Sequence, residues 1–273
     1  MEMLEQIISG GQTGADQAAL DTAIKFDILH GGWISKGRKT EAGPLPAKYN
    51  LKQMDTPDYP SRTRQNILDS HGTVIIARGP LKGGSRLTYS YTLESERPCC
   101  RIDLFKQDIF EAALVLKDFI SQNYIQILNV AGPRASHDPA IYFDVRSVIE
   151  SMLYLFYLES DAEKDLDLAL PETLNKDIFP QDLEQALNLI CEDLSLKTKT
   201  RIARMDNTRL KDIYFAMLDY IKAKTGIDEA NLDFFNRLSG GKPSWEYTPE
   251  DGVMDIVRAL KIGLNHHYSL RIL

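Results

Sequence analysis

Cysteine is scarce in this 273-residue chain, which holds only three, Cys99, Cys100 and Cys191. No CxxC pair occurs and adjacent cysteines rarely bond to each other, so the sequence predicts neither a disulfide framework nor a cysteine-based metal site, and a reducing, cytoplasmic compartment is expected. Long apolar runs are missing too. No stretch approaches the roughly 20 residues that span a bilayer, and residues 1–5 do not have the form of a signal peptide.

Basic residues are also outnumbered by acidic ones. The chain has 32 Lys and Arg and 39 Asp and Glu, which gives a net charge of −7. A general nucleic-acid binder normally carries a basic surplus, so no nucleic-acid partner and no membrane partner are expected. Within residues 1–160, however, basic side chains gather in and around the predicted loops, which indicates a local pocket for an anionic small molecule. The alternative is that these loops are simply solvated.

The most informative stretch is residues 7–16, where an apolar run leads through a glycine pair into a helix-forming segment. This order is typical of a buried strand, a tight turn and a helix. The first N–H groups of such a helix are unpaired, and with the helix dipole they favour an anion. Gly10 and Gly11 can take positive φ and let a ligand approach the backbone, and the hydroxyl of Thr13 can add a hydrogen bond. The alternative is a plain turn in which glycine relieves crowding.

The same strand–turn–helix theme repeats through the first 158 residues. The predicted strands are residues 7–9, 28–30, 73–77, 100–104 and 127–130, and the predicted helices are residues 14–26, 61–70, 86–96, 109–122 and 139–158. Alternating strands and helices are the signature of a mainly parallel sheet, so we expect a three-layer, Rossmann-like α/β domain over residues 1–158. Ligands of such sheets bind outside the carboxyl ends of the strands.

Glycine-rich and basic loops follow these strands, so they are expected to meet at one edge of the sheet. The candidate ligand-binding residues are Gly10, Gly11, Thr13, Gly14, Asp16, Trp33, Lys36, Arg38, Gly83, Gly84, Ser85, Gly132 and Arg134. Arg134 is the preferred phosphate or oxoanion contact because of its planar guanidinium. Trp33 could stack on a planar pterin or purine or close the core under its loop. Asp16 could face the ligand or stabilise its own helix dipole. No metal-binding residue is predicted.

Four motifs of the chain resemble the successive motifs of the putative molybdenum carrier family. They are residues 10–16 (GGQTGAD), 30–38 (HGGWISKGR), 83–85 (GGS) and 129–134 (NVAGPR). That family belongs to a Rossmann-like group with the lysine decarboxylase-like phosphoribohydrolases and the DprA-type proteins. The resemblance covers residues 5–155 and implies a binding or carrier protein for molybdenum cofactor or a related nucleotide-like anion.

The hydrolytic relatives place a catalytic glutamate after a Pro-Gly-Gly-x-Gly-Thr motif. At the corresponding place this chain reads LKGGSRLT, and the first acids that follow are Glu94 and Glu96. General acid–base work needs a carboxylate within hydrogen-bond reach, so binding without turnover is expected and no catalytic residue is assigned. Two alternatives stay open: a hydrolase of N-glycosidic bonds, and a nucleotide-sensing module that signals through the helical domain.

From about residue 160 the pattern changes to helical periodicity alone. Residues 168–273 are predicted to form a separate all-α domain, and residues 170–174 (LPETL) resemble the opening of a helical domain of unknown function. The domain could bind a partner, join two copies into a homo-oligomer, or only stabilise the chain.

Overall fold

A computed structural model of the chain describes residues 4–160, 179–228, 230–244 and 246–268. The chain divides into two compact units, Met1–Glu159 and Ser160–Leu273. This division lies close to the predicted limits of 1–158 and 168–273, although their independence as domains stays a prediction. Residues 170–174 lie outside the described residues.

The first unit is built on a five-stranded parallel sheet. Its strands are β1 (Gln6–Ile8), β2 (Leu29–Gly31), β7 (Gly72–Ala77), β8 (Cys99–Asp103) and β9 (Ile127–Ala131), and they lie in the order β2-β1-β9-β7-β8. The helices between and after them are α1 (Ala15–Lys25), α2 (Tyr59–Leu68), α3 (Gly83–Glu94), α4 (Ile109–Gln122) and α5 (Ile141–Glu159). The predicted α/β, Rossmann-like fold is confirmed.

Burial explains why these segments form a sheet with helices packed on it. All six residues of β7 are buried, as expected for a β-branched strand with neighbours on both sides and covered faces. On α1 the buried stripe is rich in alanine, including Ala15, Ala18, Ala19 and Ala23, so this helix can pack close to the sheet. At α4, Asp108 and Glu111 form a capping box that fixes the helix start.

Four short strands lie between β2 and α2: β3 (Trp33–Ile34), β4 (Lys39–Thr40), β5 (Gly43–Pro44) and β6 (Lys52–Gln53). β3 pairs with β6 in parallel, and β4 with β5 as a hairpin. A small core of Leu20, Ile34, Leu45, Tyr49 and Leu51 holds this segment against α1. The sequence predicted only a long loop, because strands of two residues are too short to show a period.

The predicted start of α3 was wrong by three residues. The helix begins at Gly83 rather than at residue 86, so Gly83, Gly84 and Ser85 form its first turn instead of the preceding loop. Glycine has a poor intrinsic preference for helices, which made the pair look like a turn. This shift places three backbone N–H groups at the start of the helix.

The second unit is helical throughout its described part, as the change of period predicted. Its helices are Leu183–Asp193, Leu196–Arg204, Leu210–Thr225, Leu232–Leu238 and Pro249–Tyr268, with a 3-10 turn at Asn207–Arg209. Among the helices described in either unit, none is long and apolar enough to cross a membrane.

Candidate ligand-binding cleft

A cleft of about 1060 Å³ opens at the carboxyl ends of β1, β7 and β9, within the first unit. This volume suits a nucleotide-sized ligand, since small-molecule sites usually measure roughly 300–1,000 Å³. The loop after each of these three strands contributes to its lining, and the start of α3 and one side of α2 complete it. The cleft therefore lies where ligands bind in open parallel sheets.

Seven of the thirteen candidate residues line this cleft, and they come from the β1–α1 turn with the start of α1, the first turn of α3 and the β9–α5 loop. They are Gly10, Asp16, Gly83, Gly84, Ser85, Gly132 and Arg134. The other six candidates are not part of its lining, and each has a structural contact or an exposed position that accounts for it. They are Gly11, Thr13, Gly14, Trp33, Lys36 and Arg38.

Gly10 is a glycine because the side chain of Arg62 lies where its own side chain would be. A Cβ at Gly10 would stand 0.9 Å from Nη1 of Arg62 and 2.9 Å from Oδ2 of Asp16. The group that approaches this backbone is therefore a guanidinium of the protein itself. Nη1 of Arg62 lies 3.3 Å from Oδ2 of Asp16, and the two side chains are only 11% and 10% exposed.

This ion pair leaves one polar atom without a partner. Nε of Arg62 is buried and makes no hydrogen bond within the described part of the chain, which is uncommon because buried donors are nearly always paired. Burial raises the pKa of the Asp16 carboxyl above its ordinary value, although Arg62, the backbone N–H of Gln12 and Arg134 all act in the opposite direction. Asp16 is thus a buried acid in the cleft wall, and it forms an ion pair with Arg62.

The start of α1 does not present the free donors that the sequence suggested. Gly11 donates its N–H to the hydroxyl of Ser9, and Gln12 donates its N–H to Asp16. The N–H of Thr13 bonds to the side chain of Gln12, and the N–H of Ala15 bonds to the carbonyl of Pro133. Acceptors of the protein itself therefore occupy these four donors.

Gly11 and Gly14 both have positive φ, at 73° and 79°, but close packing of the protein uses this freedom. A Cβ at Gly11 would lie 2.8 Å from Leu51 and 2.9 Å from Leu45. A Cβ at Gly14 would lie 2.6 Å from the carbonyl oxygen of Pro133. Gly11 was expected to let a ligand approach the backbone, but in the structure it allows close packing against Leu45 and Leu51.

Of the remaining candidates outside the cleft, Trp33, Arg38 and Thr13 hold the segment between β2 and α2 in place. Arg38 donates to three backbone carbonyls of residues 46–51, so it organises its own loop. The indole of Trp33 donates to Asp69 at 2.7 Å, and Lys36 is exposed. Of the two alternatives for Trp33, its contacts match a structural role. The hydroxyl of Thr13 donates to Glu41.

The first turn of α3 is the part of the cleft with open donors. A Cβ at Gly83 or Gly84 would meet nothing within 4 Å, so the backbone is accessible there. Among the described residues no acceptor pairs with the N–H groups of Gly83, Gly84 and Ser85, and Lys82 precedes the helix without a capping bond. The hydroxyl of Ser85, which is 7% exposed, is also unpaired within the described ranges.

Several residues that line the cleft are absent from the sequence-based candidates, among them Gln12, Tyr59, Arg62 and Arg78. Tyr59, Arg62 and Asn66 share one face of α2 at helical spacing, and this polar stripe is the signal that could have identified Arg62. Arg78 is held by two carboxylates, Asp138 at 2.5 Å and Asp144. It therefore ties the end of β7 to α5 and the loop before it.

Comparison with known proteins places the first unit in a family. The family described as the circularly permutated YpsA SLOG family matches residues 7–153. A crystal structure from Syntrophus aciditrophicus SB, of a protein named putative molybdenum carrier protein, is 49% identical; the match covers 56% of this chain and 96% of that chain, with a TM-score of 0.55. No curated protein matches the chain.

Proposed function

Because the chain belongs to the circularly permutated YpsA family of SLOG proteins, we propose that its first unit binds and carries a phosphorylated or oxoanionic small molecule in the cleft. The observation that carries the proposal is the open first turn of α3. Its three unpaired N–H groups, the adjacent Lys82 and the unpaired hydroxyl of Ser85 converge on accessible space. Such a helix start favours an anion through its hydrogen bonds and its dipole.

Arg134 supplies a second anchor for an anion. Its guanidinium lies 5.1 Å from the centre of the Tyr59 ring, and it has no ion-pair partner among the described residues. A planar guanidinium that is already oriented by an aromatic face loses little freedom when it binds phosphate bidentately. Arg134 and the start of α3 line the same cleft, so one ligand of nucleotide size can reach both.

The neighbour is named a putative molybdenum carrier protein, which suggests molybdenum cofactor as one candidate ligand, and a nucleotide is the other. In the described part of the chain no group of three or more His, Cys, Asp or Glu could hold a metal ion. The hydrogen-bond donors of the cleft suit the phosphate group of such a cofactor. We therefore propose that the protein binds the cofactor through this phosphate and not through the metal ion. This ligand would be carried and not used as a resident cofactor, and the start of α3 and Arg134 would bind its phosphate.

Holding is favoured over hydrolysis by the position of the first acids after the glycine pair. Glu94 is the last residue of α3, about 16 Å from Gly83 along a helix that rises about 1.5 Å per residue, and it pairs with Arg64 at 2.9 Å. One observation favours the hydrolase alternative, namely the raised pKa of Asp16 inside the cleft. A carboxyl with a raised pKa can act as a general acid.

Native mass spectrometry of the full chain, purified without added ligand, is the first test. A bound mass in the nucleotide or pterin range is expected, and a molybdenum assay on the same sample decides between the two cargoes. Titration calorimetry with AMP at about 0.15 M salt then compares two variants. Arg134→Ala should weaken binding ten- to hundredfold, since a charged hydrogen bond contributes about 1.5–3 kcal/mol.

The matched control is Arg86→Ala, which removes the same charge from an exposed side chain of α3 that does not line the cleft. Equal affinities of the two variants, or no co-purified mass and no binding of AMP, would contradict the proposal. Incubation with nucleoside monophosphates followed by chromatography tests the alternative. Steady release of free base that disappears in Asp16→Asn would replace the carrier by a hydrolase.

A further inference from the structure

We infer that Gln12 determines ligand specificity: its carboxamide N–H groups select a ligand whose ring carries a neutral oxo group. This inference rests on the proposed function and names the class of ligand more narrowly. Gln12 lies in the turn between β1 and α1 and lines the cleft, yet it is only 5% exposed. Its backbone N–H is already used, because it donates to Asp16 at 3.1 Å.

The orientation of the carboxamide is fixed by its oxygen. Oε1 of Gln12 accepts from the N–H of Thr13 at 3.1 Å and from the N–H of Glu41 at 2.9 Å. A glutamine amide is assigned by the network around it, and two backbone donors can only face the oxygen. The NH₂ end is therefore the end that is left for other partners.

Within the described ranges no acceptor pairs with that NH₂ group, and Nε2 is not among the fully buried atoms without a partner, so it keeps some exposure. A nearly buried amide with two unused donors is costly to desolvate unless an acceptor meets it. Because Gln12 lines the cleft, a ligand atom is the natural acceptor. A ligand that presents a donor at this point would leave both groups unsatisfied, which is how polar sites reject analogues.

The charge of the surroundings favours a neutral acceptor over a phosphate. The two acidic residues that bond to Gln12 are Asp16, which pairs with Arg62, and Glu41, so the groups around Gln12 carry no net positive charge. The unpaired cations and the helix start that suit an anion are Arg134, Lys82 and α3. We therefore assign the phosphate to those groups and a ring carbonyl, as in a 6-oxopurine or a 4-oxopterin, to Gln12.

Glu41 acts as a positioning residue for this arrangement. It lies at the turn of the β4–β5 hairpin, and its carboxylate accepts from the hydroxyls of Thr13 and Ser136 and from the N–H of Ser136. These bonds hold the hairpin turn on the α1 turn and on the β9–α5 loop. The backbone N–H of Glu41 is thereby kept in place against Oε1 of Gln12.

The test compares IMP, which has an oxo group at position 6 of the purine, with AMP, which has an amino group there. Calorimetry on the full-length wild type should give roughly five- to tenfold tighter binding of IMP, about the worth of one hydrogen bond. At pH 8, Gln12→Glu keeps an oxygen for Thr13 and Glu41 but replaces the NH₂ donors by an acceptor. We expect this variant to lose the preference for IMP or reverse it.

Gln12→Met, of similar volume, is the second variant and should bind IMP and AMP equally, while Glu41→Gln should reduce the preference without reversing it. Thermal midpoints establish that each variant is folded. If the ratio of the IMP and AMP affinities is the same in wild type and Gln12→Glu, Gln12 has only a structural role and the inference is wrong. The carrier proposal is unaffected by that result. If wild type binds neither nucleotide, the inference fails, and the proposed function fails with it only when no nucleotide or pterin mass co-purifies either.

Discussion

Replacing Gly10 by alanine should break the buried ion pair of Asp16 and Arg62 although neither of these two residues is mutated. The added Cβ would stand 0.9 Å from Nη1 and 2.2 Å from Cζ of Arg62, so the guanidinium must move. It is the end of a flexible side chain, and the steric strain itself is therefore small. The larger cost is electrostatic, because Asp16 stays buried after its cation has gone.

The magnitude follows from what Asp16 loses and keeps. Removing one partner of a buried ion pair costs about 3–5 kcal/mol, but the Asp16 carboxylate keeps the N–H of Gln12 and can take up a proton. We therefore expect Gly10→Ala to lower the free energy of unfolding by about 2–3 kcal/mol, which lowers the melting temperature by about 5–10 °C for a unit of this size. Gly84→Ala is the control, because its Cβ meets nothing within 4 Å.

The loss should also depend on pH in a defined direction. Burial raises the pKa of Asp16 in the folded state above its ordinary value of 3.8, so its ionisation opposes folding, and this cost grows as pH rises from the unfolded to the folded pKa. Without Arg62 the pKa of Asp16 rises further. Calorimetry should therefore show the largest difference between Gly10→Ala and wild type near pH 7–8 and a smaller one near pH 4–5. Equal melting temperatures for Gly10→Ala and Gly84→Ala, or a loss that does not change with pH, would refute this account of the pair.

Two other substitutions test the stability of the first unit at a helix start and at an ion pair. Asp108→Ala removes the capping box of α4 and should cost about 1 kcal/mol of unfolding free energy, measured by urea titration; the exposed Asp118→Ala on the same helix should cost clearly less. Arg78→Met keeps the length of the side chain but leaves Asp138 and Asp144 without their shared cation. It should lower the thermal midpoint more at pH 7 than at pH 4, and an equal loss at both pH values would contradict the ion-pair explanation.

The architecture of the first unit was predictable because its signals are local and strong. β7 and α4 have clear periods, and the predicted limits of α4, residues 109–122, agree with the structure. The strands β3 to β6 were not predictable, because each has only two residues and is held by packing on Leu20 and other distant side chains. The early start of α3 at Gly83 was missed because glycine has a poor local preference for helices.

The position of the cleft followed from topology, but the role of each glycine did not. The carboxyl edge of the sheet gathers Gly10, Gly83 and Gly132, as expected for loops that follow parallel strands. What fills the space beside a glycine comes from elsewhere in the chain. Arg62 meets Gly10 from 52 positions away, and Leu51 meets Gly11 from 40 positions away, so no local pattern could assign these contacts.

The order of the strands has a consequence for synthesis on the ribosome. β9 lies in the middle of the sheet and pairs with both β1 and β7, yet it is the last of the five strands along the chain. Until residues 127–131 emerge, the pairs β1–β2 and β7–β8 have no strand to join them, and two-stranded pairs are at most marginally stable alone. At about 5–20 residues per second, the β1–β2 pair waits roughly 5–20 s for β9 and the β7–β8 pair roughly 1–6 s, so a pause before β9 is the point at which a chaperone would matter most.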